Sequence, residues 1–348
     1  MNRQFGAFTG VAMVLIVLNH SISVGLDSMV RVGVTPVPSW GMITLNVLQA
    51  LGAFAVPIFF FISGSFVAYA AQGDPPRLPR KFLWASLRHI LVPYVIWSIL
   101  FYVLVYFQFE ERFTMGGYVK NLLVGYPYHF VPLLAFYYLL SSILVVFAKR
   151  HPAILLVLVG LYQLFSINVV NPGYLGFTFP EWARWFALPV LRTTIADWGV
   201  FFPLGLVYGM HAKALLPWMK KYLWLLLLLS AALFVLGLLN AFEILVFPIA
   251  RILCPLPLTL ALPAITRDRI PWVRTFERIG KRSYGLYLTH LFVLDLALLL
   301  IHSVLAGLIG IPFLLFPILF ALGIIIPIAL MEMAARGPIK RTYRLIFG

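Results

Sequence analysis

Acidic residues and cysteine are what this chain has least of. Of 348 residues only 11 are Asp or Glu and one is Cys, against 26 Lys and Arg. Charged residues make up 11% and apolar ones 62%, with mean hydropathy +0.99, far from the balance of a water-soluble domain. The lone Cys254, set in an apolar run, excludes an internal disulfide and a cysteine metal site, and reads as packing. No HExxH, paired-cysteine or carboxylate-rich spacing suggests a catalytic metal, and there is neither a GxSxG elbow nor a Walker loop. A net charge of +15 does not imply nucleic acid, because the basic residues are spread over short loops without a stripe of interleaved aromatics. Topology signals and contact with anionic lipid account for them.

What is present is a succession of apolar spans. Ten stretches, roughly 8–26, 42–70, 90–109, 130–148, 153–171, 198–210, 221–239, 242–265, 283–302 and 308–331, approach the length needed to cross a bilayer, about 20 residues. The sixth is short unless it borrows from the residues before it. With the N-terminus placed inside, 20 Lys and Arg fall on the inner side: Arg3 and groups in 77–88, 149–150, 213–221, 267–282 and 336–344. The outer side holds five, Arg31, Arg112, Lys120, Arg184 and Arg192, while Arg251 lies within a span. An odd number of spans would scramble this asymmetry. The expected fold is therefore an all-α integral membrane protein of ten transmembrane helices with both termini cytoplasmic, a single domain over 1–348 with no soluble domain appended. The first span lacks the n-region and cleavage site of a signal peptide and is expected to remain as the first helix. Segment 266–282 spaces Trp272, Val273, Phe276 and Ile279 as a helix lying on the membrane surface does.

Polar groups inside hydrocarbon cost about 2.5–3.5 kcal/mol each on insertion scales, so each one needs a reason. The first span carries Asn19, His20 and Ser21, with His20 roughly 18–22 Å from the inner end at 1.5 Å per residue. The ninth carries His290 about 10–12 Å in, followed by Asp295. Arg251 descends to a comparable depth in the eighth, and Arg251 and Asp295 are expected to neutralise one another. Ser63 and Ser65 of the second span either join this polar centre or simply let helices approach closely, as the pairs Gly6/Gly10 and Gly205/Gly209 would. Two histidines, an arginine and an aspartate in one bilayer fit an enzyme or a transporter.

Five segments together resemble the acyltransferase family 3 membrane proteins. The first span, GAFTGVAMVLIVLNHS, is similar to the family's opening helix, which reads D-x-L-R-G, an apolar run, then His. FAVPIFFFISGSFVAY (54–69) resembles its FFxxSGF helix, LRHILVPYVIWSIL (87–100) its basic third helix, and YHFVPLLAFYYLLSSIL (128–144) its His-containing fourth. IGKRSYGLYLTHLFVL (279–294) resembles the ninth. The resemblance implies transfer of an acyl group, usually acetyl, from cytoplasmic acyl-CoA, a co-substrate rather than a bound cofactor, to a hydroxyl of a cell-envelope glycan or glycolipid. It places the protein in a bacterial cytoplasmic membrane. By the same resemblance His20 carries the chemistry with His290 as its companion, since a hydroxyl needs a positioned base and imidazole titrates near neutrality. Arg80, Lys81 and Arg88, at the mouth of the third span, would hold the phosphates of coenzyme A or serve only as topology charges. Trp182, Trp185 and Trp198 lie on the side from which the acceptor would come.

One departure stands out. The family's D-x-L-R-G reads Gly6-Ala7-Phe8-Thr9-Gly10, so the aspartate and the arginine are both missing. An arginine at position 9 would lie three turns below His20 on the same face, and Arg3 lies nearly opposite. The charge has to come from elsewhere, with Arg251 and Arg88 as candidates. Failing that, the chain is a non-enzymatic relative that exports or flips a glycan or lipid-linked intermediate.

Overall fold

The computed structural model describes residues 3–34, 38–71, 73–109 and 112–348 and is helical throughout, with no strand among them. The first part runs α1 (Arg3–Arg31), α2 (Ser39–Ala50), α3 (Ala55–Ala70), α4 (Arg80–Phe109) and α5 (Met115–Val124). Then come α6 (Phe130–Arg150), α7 (Pro152–Val170), α8 (Arg192–Trp198), α9 (Phe201–Lys221) and α10 (Leu223–Ala241). The last part holds α11 (Ala250–Leu253), α12 (Pro255–Ala261), α13 (Val273–Gly280), α14 (Ser283–Val304), α15 (Pro312–Arg336) and α16 (Tyr343–Phe347).

Among the described residues eight helices are long and apolar enough to cross a membrane, α2 and α3 counting as one through the 3-10 turn Leu51–Phe54. The sixth expected span does borrow from its predecessor: α8 and α9 form a pair bent by 48°. That bend leaves backbone groups open, which hydrocarbon does not tolerate. Gln163 of α7 closes both sides of it, its Nε2 donating to the Ala196 carbonyl at 3.0 Å and its Oε1 accepting from Val200 N–H at 2.8 Å. The eighth expected span is shorter than the sequence suggests. Residues 242–249 are not helical, and the helix that follows, over Ala250–Ala264, is broken into pieces. Pro255, Pro257 and Pro263 remove the donors that a continuous helix requires.

Glycine sets the closest approaches. A methyl on Gly10 would strike the carbonyl of Phe276, and one on Gly280 the carbonyl of Gly6, so α13 lies directly on the first turns of α1. Likewise Gly64 faces the Phe202 carbonyl, Gly205 faces that of Phe61, and the Ser65 hydroxyl donates to the Gly205 carbonyl at 3.1 Å. Both small-residue pairs, Gly6/Gly10 and Gly205/Gly209, thus serve contacts within the chain. The expected surface helix forms as α13, with Trp272 exposed ahead of it and Ile279 buried. Because Gly280 meets Gly6, α14 starts part-way up the side of α1. That offset brings two histidines of unequal distance from their helix starts to one level.

Candidate functional site

The second half of α1 carries a polar face against α2. Asn19 donates through Nδ2 to the Gln49 carbonyl at 2.8 Å, and Gln49 Nε2 donates to Ser23 Oγ at 2.7 Å. His20 is between those two residues on α1. Its ring centroid lies 5.2 Å from that of His290 of α14, with the planes at 48°. His290 is fully buried, and its Nδ1 lies 2.7 Å from the Tyr287 carbonyl and 3.2 Å from that of Leu286. A carbonyl only accepts, so Nδ1 bears the hydrogen and Nε2 presents a lone pair. That Nε2 has no hydrogen-bond partner among the described residues, and a buried acceptor without one is a costly feature.

A cavity of about 630 Å³ opens beside this pair. Its polar lining comprises Asn19, His20, Ser23, Asn46 and Gln49, together with His129, Asp197 and Arg251. Rings of Phe130, Trp198, Phe234 and Tyr287 complete it. Hydrogen-bonding groups of both kinds beside flat apolar rings suit a polyhydroxylated molecule, whose hydroxyls donate and accept while its ring faces stack. A carbonyl attacked next to His20 would be within reach of the same groups.

A second hollow, of about 530 Å³, lies where α13 crosses the start of α1. Arg3, Arg267, Arg274, Arg278 and Lys281 line it, with Glu277 as its single acid. Glu277 is held by Arg267 through a two-point pair, Nε–Oε1 at 2.5 Å and Nη2–Oε2 at 3.1 Å. That hydrogen bonding lowers the Glu277 carboxyl below the usual carboxylate range. Arg274, Arg278 and Lys281 recur at helical spacing and face the same hollow, a geometry that suits a polyphosphate.

The structure brings His20, Asn19, Arg251 and Trp198 to one cavity and His290 directly behind it. It separates the rest. Arg251 and Asp295 do not pair: Arg251 shares its wall with Asp197, while Asp295 is buried on α14 where the cation acting on it is Arg31. The broken eighth span explains this, since Arg251 sits in the short α11 rather than beside α14. Ser63 lines neither hollow. Arg80, Lys81 and Arg88 are exposed on the first turns of α4 and line neither hollow. Trp182 and Trp185 are exposed on the 3-10 turn Glu181–Phe186, away from the cavity.

Sequence reasoning missed His129, Asp197 and the basic hollow. His129 stood in a quoted motif and drew no separate attention. The hollow has a readable signal in the sequence, the basic face of 266–282.

No curated protein and no solved structure matches the chain. A family model described as an acyltransferase domain matches residues 7–332, nearly the whole helical array. This chain therefore belongs to the membrane-bound acyltransferase family 3.

Proposed function

We propose that the protein moves an acyl group, acetyl in the simplest case, from acyl-CoA to a hydroxyl of a cell-envelope glycan or glycolipid. The observation that carries this reading is the His20–His290 pair on the wall of a polar cavity inside the helical array. In it, both termini and the basic hollow face the cytoplasm of a bacterial cell, and ten passes result once the bent pair and the broken eighth segment are counted.

The donor's phosphates bind Arg3, Arg274, Arg278 and Lys281, which supply the charge that Thr9 does not. From Gly6 to His20 is about 21 Å along α1, comparable with the long arm that joins the phosphates of coenzyme A to its thioester. The face joining them reads Gly6, Thr9, Met13, Ile16, His20, alternating steps of four and three. Fully buried Met13 is a flexible thioether in the middle of that path. At the cavity, a turn of the His20 ring brings its N–H onto the unpartnered Nε2 of His290 and leaves its other nitrogen facing the acceptor. His20 takes the hydroxyl proton as the oxygen attacks the thioester carbonyl, and the new C–O bond replaces the C–S bond. The departing thiolate recovers that proton from His20, leaving ester and free thiol.

The test is release of free thiol by vesicles holding the protein, with labelled acetyl-CoA and a panel of glycosides. Transfer of label to glycoside, lost in His20→Ala, is the expected result. Movement of a glycan across the vesicle without any thiol release would instead establish the non-enzymatic reading that the missing D-x-L-R-G pair suggests.

A further inference from the structure

α10 has buried residues in its first half only, while its second half meets α11 where Gly237 lies beside Arg251. Its buried residues are Leu223, Leu226 and Ser230, one seam at helical spacing in the first half, and none of 231–241 is buried. Ser230 marks the boundary, with its hydroxyl donating to the Cys254 carbonyl at 2.7 Å. The second half is also the half that walls the cavity, through Phe234, Gly237, Leu238 and Ala241. Its aromatic contact beside the cavity is Phe234 on the buried Phe54, with ring centroids 5.5 Å apart. The chain that follows is Ile244-Leu245-Val246-Phe247, four exposed apolar residues of the kind that rest among lipid tails. Beyond it α11 and α12 are separated at Cys254–Pro255, so the partners of α10 are themselves short pieces.

We infer that the acceptor is an amphiphile, a hydroxylated head on a hydrocarbon tail, and that it reaches the cavity sideways from the bilayer through a seam between the outer half of α10 and the turn at Phe54. The cavity holds the head among its amides, Asp197 and Arg251. The tail stays in lipid, where leaving the seam open exposes no unpaired backbone. Phe234 on Phe54 latches the seam, and α10 swings about its sealed first half. The word acceptor depends on the acyl-transfer reading; the side opening does not.

Access is measured without any transfer. In a Cys254→Ser background in phospholipid vesicles, Ala53→Cys places a thiol on the cavity wall, and an octadecyl maleimide dissolved in the bilayer serves as the tailed probe. The control is Ala12→Cys, fully buried on α1 and outside the cavity. The cavity thiol is expected to react at least about tenfold faster than the control, and Phe234→Ala is expected to raise its rate severalfold further. Equal rates at the two positions, or a rate indifferent to Phe234→Ala, would overturn the side opening. Asn46→Cys, on another part of the wall, repeats the measurement should Ala53→Cys not fold. A protein that labels as expected yet transfers no acyl group sinks the enzymatic reading and leaves this one standing.

Discussion

From Arg3 to Gly10, α1 carries glycines that let α13 press onto it, and the hollow left there is ringed with cations. From Ile16 to Ser23 the same helix carries Asn, His and Ser, and the space beside it is lined by amides, rings, one Asp and one Arg. The difference follows from where each space lies. At the end of the helical array water screens charge, so like cations gather cheaply and await an anion. Within hydrocarbon an unmatched charge costs several kcal/mol, so polarity comes from neutral groups and from Arg251 matched with Asp197. One helix thus links a region built to capture charge with a region built to orient neutral groups.

The comparison breaks most completely at His20. His20→Ala should lower acyl transfer by about 10²–10⁴-fold, the usual worth of a positioned base, with acetyl-CoA binding unchanged. Loss of binding as well, in a calorimetric titration, would mean that the two regions are not distinct. Met13→Trp should plug the path between them: transfer falls on the order of tenfold to a hundredfold while donor binding persists, with thermal unfolding checked because overpacking costs about 1–3 kcal/mol. Unaltered transfer would show that the donor arm does not run along this face. Gly280→Val should push α13 off Gly6 and weaken donor binding by about tenfold, with a lower unfolding temperature from the same steric cost. Glu277→Gln sharpens the comparison with the smallest effect. Removing the one acid from the basic hollow frees Arg267, and donor affinity should rise about two- to threefold at low salt and less at high salt. The sign with pH agrees. The lowered carboxyl of Glu277 keeps its pair with Arg267 above the ordinary carboxylate range and loses it only as pH falls through the lowered value.

Much of this was legible in the chain itself. Hydropathy located the spans, and the depth of His20 and the motif around His290 nominated the two rings that the structure places side by side. What failed did so for physical reasons. Pairing Arg251 with Asp295 assumed a continuous eighth helix, and prolines at 255, 257 and 263 shorten and break it. Arg80, Lys81 and Arg88 carry charge near a span and line neither hollow. Only the glycine contact between α13 and α1 reveals that the basic face of 273–281 and Arg3 enclose a common hollow. Asp197 was unreadable because it becomes a wall residue only through the bend between α8 and α9.

The most direct measurement is titration of acetyl-CoA into the purified, detergent-solubilised protein beside two variants, Arg274→Ala/Arg278→Ala and Arg88→Ala. The account predicts binding to the unaltered protein, weakened about tenfold or more in the double variant by loss of charge-assisted contacts and within about twofold of normal in Arg88→Ala. Absence of binding to folded protein, or weakening by Arg88→Ala alone, would contradict it.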